Sequence, residues 1–128
     1  LEDGSGTASE GAARDARQAI ALLSKPSTER IPFAGSAGTL VLAVGSGGRG
    51  VLVLRGLEPA PAGKTHEAWV VGPAGGAPDP DALFSGSERI VSLTRPVPEG
   101  ATVAVTVEDA VGADTPTQRL RLVARRGG

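Results

Sequence analysis

The sequence predicts an all-β fold: an antiparallel, immunoglobulin-like β-sandwich of about seven strands behind a short N-terminal helix. Three observations predict it. From Arg30 onward apolar and polar residues alternate with a period of two. Clusters of Gly and Pro interrupt that alternation roughly every eight to twelve residues, as turns between short strands do. Before Arg30 the apolar spacing is three and four, which is the spacing of a helix.

The elements follow in order. Leu1 to Ser9 is rich in Gly, Ser and Thr and carries acidic residues, so it reads as a disordered lead-in. From Glu10 to Ser24 a helix is expected, with Ala13, Ala16, Ile20 and Leu23 as a thin apolar stripe and Arg14, Asp15, Arg17 and Gln18 opposite. Ser9 is the expected N-cap and Pro26 the stop. So thin a stripe implies weak docking or a stalk.

Strands are expected at Arg30–Ala34, Thr39–Val44, Gly50–Arg55, Thr65–Val71, Arg89–Thr94, Ala101–Glu108 and Gln118–Ala124. Val103, Val105 and Val107 face one way, and Thr102, Thr106 and Glu108 the other. In the last strand Leu120 and Leu122 point inward and Arg119 and Arg121 outward, so each of these two strands has one wet face. Val51–Leu54 is apolar throughout and reads as a central strand covered on both sides. Gly45-Ser46-Gly47-Gly48 supplies a hairpin turn, and Glu58–Lys64 and Pro96–Gly100 carry Pro followed by Gly. Gly72–Asp81 reads as a crossing loop.

Composition restricts function. The chain of 128 residues has room for one domain. Its net charge of −1 gives no basic excess for nucleic acid. With no Cys, disulfides, thiolate metal sites and cysteine nucleophiles are excluded. With one Trp, two Phe and no Tyr, the core must be aliphatic. No apolar run approaches the roughly eighteen residues of a membrane span.

His66 is the sole histidine, and a metal site needs several converging ligands. It reads as a sheet residue filling an aromatic position. It cannot pair with Glu67, because adjacent strand residues point to opposite faces. Trp69 shares a face with Thr65, Glu67 and Val71 and reads as a buried or half-buried anchor. Trp69 and His66 are nevertheless the candidate partner contacts. Asp79 and Asp81 beside proline are turn formers, not a calcium loop. Glu108 and Asp109, with Asp114 nearby, are expected to be solvated at a strand end. Ser85-Gly86-Ser87 is a polar turn, and Gly45–Gly50 lacks the residues of a phosphate loop. Arg125-Arg126 is too little charge for membrane binding. No catalytic constellation, metal or cofactor site remains, so no enzymatic activity is expected.

The run Pro61-Ala62-Gly63-Lys64-Thr65-His66-Glu67-Ala68-Trp69-Val70-Val71 resembles the P-A-G-K-T-Y-x-L-W-V-I motif of the anti-sigma-K factor (RskA-like) C-terminal domain. In order after it, Ala82-Leu83-Phe84 resembles A-G-L-F and Pro98-Glu99-Gly100-Ala101 the P-x-G-A entry to a strand. Val103–Glu108, Gly112 and Thr115-Pro116-Thr117 are similar to V-T-x-E-P-x-G-G-S-x-x-P-T. The resemblance covers about Arg30 to Val123. His66 stands where the family has tyrosine, Ala68 where it has leucine, and Asp109 where proline is common.

The resemblance implies the extracytoplasmic sensor domain of a single-pass membrane regulator. A cytoplasmic module upstream would hold an extracytoplasmic-function sigma factor, a membrane helix would follow, and release would proceed by regulated proteolysis. Residues 1–29 would then be a juxtamembrane stalk with a short helix, open to a membrane protease. Residues 30–128 would be the sandwich on the outer side of the membrane, reached only through an anchor upstream. The competing expectation is a secreted or surface-anchored adhesion-type sandwich that binds a carbohydrate or protein partner. A membrane helix behind a zinc-binding module upstream favours the regulator, and a signal peptide alone favours the adhesin.

Overall fold

The computed structural model describes residues 3–127. One helix, α1 (Asp3–Leu23), precedes eight strands: β1 (Glu29–Pro32), β2 (Leu40–Val44), β3 (Gly50–Leu54), β4 (Lys64–Val71), β5 (Asp79–Phe84), β6 (Ile90–Ser92), β7 (Thr102–Asp109) and β8 (Leu122–Arg125). They form two four-stranded antiparallel sheets with orders β1-β2-β3-β6 and β5-β4-β7-β8. The expected sandwich is what forms, with one strand more than expected.

The additional strand is β5. The stretch read as a crossing loop ends in Asp79-Pro80-Asp81, and the segment they open pairs with β4 from Val70↔Asp79 to His66↔Phe84 around a bulge between Glu67 and Trp69. Proline has no N–H to give a ladder, and here it sits in an edge strand, the place that tolerates it. Another correction concerns β8. Gln118–Arg121 lie outside the strand, and Leu120 is exposed instead of pointing inward.

The inner faces of the sheets meet in a core of aliphatic side chains. Leu40, Leu42, Val44, Leu52, Val97 and Val103 are fully buried there, joined by Phe33, Phe84 and Ala68. Each buried Leu or Val contributes about 1.5–3 kcal/mol. Gly50 marks a close approach, because a β-carbon there would stand 2.9 Å from Val97 Cγ2 and 3.0 Å from Leu93 Cδ1.

Both flanks of the sandwich are joined by polar contacts. On one flank Ala34 bridges Val123, and Arg126 donates to Glu29 at 2.8 Å and to the Val97 carbonyl at 2.7 Å. On the other, the Asp81 carboxylate accepts the backbone N–H groups of Thr94 and Arg95 at 2.9 and 2.8 Å. Arg126 is therefore buried and committed to structure, while Arg125 stays exposed. The two Pro-to-Gly turns close as expected: Lys64 N–H donates to Pro61 O and Ala101 N–H to Pro98 O, with Gly63 and Gly100 at φ of 78° and 84°. Those are the turns in which only glycine takes the third position at low cost.

The helix departs from expectation in extent and phase. It begins at Asp3, so Ser9 is inside it and most of the expected lead-in is helical; Leu1 and Glu2 lie outside the described residues. Once a packed segment has nucleated a helix, each added residue gains a hydrogen bond, and weak formers are carried along. Its buried positions are Ala19 and Leu22 with Leu23 beside them, while Ala13, Ala16 and Ile20 are exposed. The period was right, but apolar residues lie on several sides of this Ala-rich helix and leave the phase open. Among its described side chains, those that dock belong to its C-terminal end and rest on Ala43, Val51 and Ile90 of the outer face of the β1–β6 sheet. This covers the second side of β3, as its apolar run predicted.

The helix end is fixed by side chains. Thr28 Oγ1 donates to the Leu22 carbonyl at 2.5 Å, and the Arg30 guanidinium donates to that of Leu23. They satisfy carbonyls that have no partner inside the helix.

Leu22→Ala removes the largest anchor of α1, and a loss of about 2–3 kcal/mol is expected in urea unfolding. Hydrogen exchange should accelerate in α1 while the amides of β4 and β7 remain protected.

Candidate functional site

The alternation in β4 and β7 places Thr65, Glu67 and Trp69 opposite Glu108, Thr106 and Ala104 on the outer face of their sheet. An outer face is usually wet, but this one is buried: Glu67 is 3% exposed, Trp69 0% and Glu108 1%. The expectation that Glu108 is solvated is thus overturned. Its neighbour Asp109 is exposed and pairs with Lys64 at 2.7 Å.

A buried carboxylate needs donors, and Glu108 has three groups supplying them. Trp69 Nε1–H donates to Thr106 Oγ1 at 2.9 Å, and the Thr106 hydroxyl in turn donates to Glu108 Oε2 at 2.6 Å. Thr117 donates its backbone N–H to Oε2 at 3.1 Å and its hydroxyl to Oε1 at 2.5 Å. Burial pushes the Glu108 carboxyl upward, but these hydrogen bonds outweigh it and hold the group below the ordinary carboxylate value.

Glu67 is less well supplied. It accepts one backbone N–H, from Ala113 at 2.8 Å. Burial, with repulsion from Glu108 and Asp114 added, raises its carboxyl above the ordinary value against that single bond. Together the two glutamates hold the loop 110–117 against the sheet at two points. Gln118 extends this attachment, its Oε1 accepting the Val107 N–H at 3.0 Å. The amide side chain thereby stands in for a strand at the edge of β7 beyond the reach of β8, whose pairing ends at Val105↔Leu122.

His66 is on the inner face, opposite to Glu67, as expected. It is 5% exposed. Its ring stacks on Phe84 with centroids 5.3 Å apart, and Nε2–H donates to the Glu58 carbonyl at 2.9 Å. Nδ1 is buried with no hydrogen-bond partner. Since β4 lies between β5 and β7, the ring face away from Phe84 turns toward β7. There His66 borders a cleft of about 520 Å³ with Val105, Val107, Gln118, Arg119, Arg121 and Leu122.

Neither residue singled out as a partner contact offers surface of its own. Trp69 is in the polar network of the outer face, and His66 is at the wall of the cleft on the other side of the sheet. Sequence reasoning passed over Glu67, Thr106 and Thr117. The repeated Thr and Glu on one strand face, followed by a Thr-Pro-Thr turn, was the only local signal. Among the described residues no group of His, Asp and Glu could hold a metal ion.

A family model described as anti-sigma-K factor RskA, C-terminal, matches residues 4–120. No curated protein and no solved structure was found to match the chain.

The two carboxylates predict opposite responses to acid. The stability that Glu108 contributes is fully present above the ordinary carboxylate pKa and is lost as pH falls through its lowered folded value. Glu67 acts in reverse: its charged form is penalised above the ordinary value, and protonation relieves the penalty as pH falls through its raised one. Glu108→Gln turns an amide N–H toward a donor and should destabilise the fold at neutral pH by about 2 kcal/mol. That deficit should shrink in more acidic buffer, where the wild-type Glu108 is itself protonated. Glu67→Gln keeps an acceptor for Ala113 and should flatten the approach to the acid limb. Urea unfolding across the pH range reads both.

Proposed function

The chain belongs to the anti-sigma-K factor RskA C-terminal family, and from that premise we propose that it is the outer, non-catalytic domain of a single-pass membrane anti-sigma factor. Family membership ties it to a sigma factor as the regulated partner. In this reading the sigma factor is bound by a cytoplasmic module elsewhere in the protein. The present chain stands on the extracytoplasmic side and governs whether a protease reaches the segment that leads into it.

The observation that carries the proposal is the way α1 is held. Of its 21 residues, the buried side chains among those described are Ala19 and Leu22, both at the end nearest the sandwich. The turns before them hold Gly4, Gly6 and Gly11, which weaken a helix relative to alanine. A helix anchored at one end opens locally at far lower cost than a strand in the core. The matched residues, 4–120, include nearly all of α1 as well as β1 to β7, which supports reading the helix and sandwich as one unit. Guarding then means that the docked end, sealed by Thr28 and Arg30, sets how far opening spreads toward β1.

No helix among the described residues is long and apolar enough to cross a membrane, and the anchor in this reading precedes α1. The absence of Cys and the structural use of the buried glutamates, Trp69 and Arg126 support a domain without catalysis.

Limited proteolysis with a nonspecific protease tests the proposal. The first cuts are expected before Ala19, leaving a resistant fragment that includes β1 to β8. Leu22→Ala should move the next cuts toward Thr28. First cuts within the strands or in loop 110–117, with α1 still intact, would sink the guarding role.

A further inference from the structure

We propose that segment 118–121 is a strap with two seats: in the structure it bows away from β7, and in its second seat it closes onto β7 as an extension of β8. The device belongs to the sandwich itself and does not rest on the guarding role of α1.

The strap is fastened at both ends. Thr117 holds Glu108 through its N–H and its hydroxyl, and Leu122 pairs with Val105. Between these points β7 takes three steps, Glu108 to Val105, whereas the strap takes five, Thr117 to Leu122. The two surplus residues have no place in the ladder. The strap therefore bows out around the cleft of about 520 Å³ that Val105, Val107 and Leu122 line. The edge of β7 beneath it is unfinished. Arg126 N–H donates to the Ala101 carbonyl at 2.9 Å, and main-chain groups an even number of residues apart on a strand point the same way. Val107 thus turns its N–H and C=O toward the strap, where the Gln118 side chain, not a main-chain group, meets the N–H at 3.0 Å.

The sequence of the strap suits the second seat. Arg119-Leu120-Arg121-Leu122 alternates as a half-buried strand does, yet Leu120 is exposed. Continuing the register past Val105↔Leu122 gives Thr106↔Arg121, Val107↔Leu120 and Glu108↔Arg119. Leu120 then enters the cleft on the inner face, between Val107 and Leu122, and its main chain takes the Val107 N–H over from Gln118. Arg119 stands opposite Glu108 on the outer face, where a cross-strand pair of opposite charge is favourable. It replaces Thr117, two residues earlier, and a shift of two keeps every side chain on its face. A shift of one would set Gln118 against Glu108 and turn Leu120 outward.

The two seats exclude each other. Thr117 and Arg119 are about 7 Å apart along an extended chain, so Glu108 takes one or the other. Closing passes the two surplus residues into loop 110–117. Whatever draws that loop away from the sheet therefore favours the closed strap.

Two substitutions remove what holds the strap open: Thr117→Val takes the hydroxyl from Glu108, and Gln118→Ala takes the amide from Val107. In the ¹⁵N,¹³C-labelled 128-residue chain carrying both, NMR should show a short Hα–Hα contact between Glu108 and Arg119. The Leu120 amide, outside the ladder in the open seat, should exchange with solvent roughly tenfold or more slowly than in the wild type. Adding Leu120→Ser should restore rapid exchange. If the Glu108–Arg119 contact does not form in the double variant, the proposal fails. Should that variant not fold, saturation-transfer NMR of the wild-type chain decides. A minor state with strand-like shifts is expected at Gln118–Arg121, and its absence overturns the strap equally.

Discussion

The full-length ladder between β4 and β7 is the constraint on which both faces of the molecule depend. It runs without a break from Lys64↔Asp109 to Val71↔Thr102. Side chains alternate strictly along a strand, so a slip by one residue would exchange the two faces. A slip of β4 would put Ala68 and Val70 outside and Glu67 and Trp69 in the apolar core, and a slip of β7 would do the same to Val103 and Val105 and to Thr106 and Glu108. Each face guards the register of the other. The inner residues need the opposing sheet, and the outer ones need loop 110–117.

A core with so few aromatic rings is thin, and the structure compensates at its margins. Fully buried side chains between the sheets are mostly Leu and Val. The flanks are closed by contacts of longer reach, through Arg126 to Glu29 and Asp81 to Thr94 and Arg95. These join elements distant in sequence, so they order the edges of both sheets with respect to each other. The neighbourhood of β8 shows the same economy. Its strand is short, and the Gln118 side chain rather than a main-chain group meets the remaining edge of β7 at Val107.

The sandwich was legible in the sequence because alternation and turn chemistry are local. Val103, Val105 and Val107 needed no knowledge of their partners, nor did the Pro-to-Gly turns at Gly63 and Gly100. β5 was hidden because Asp79-Pro80-Asp81 has the composition of a turn, and only its place at an edge next to β4 makes it a strand. The helix phase was hidden because alanines and leucines lie on several sides, so the sheet's outer face decides which are covered. The polar network was illegible for a different reason. Alternation says that Glu108 points outward, where a residue is ordinarily wet; the cover comes from a loop that returns through Ala113 and Thr117. Arg119 and Arg121 were correctly seen as outward residues. Only the lateral order of β4, β7 and β8 reveals that they border the same cleft as His66.

Pro80 in β5 and Pro32 in β1 have a consequence for how the domain behaves in a crowd. Each lies in the outermost strand of its sheet, and each removes one backbone donor from the row that a neighbouring chain would need. β5 adds a bulge and two aspartates, β1 adds Arg30, and the edge at β6 is only 3 residues long. Long, flat, regular edges are what recruit further strands. These edges therefore give a crowding neighbour little to extend, although the domain's framework is the kind of structure most prone to fusing into fibres.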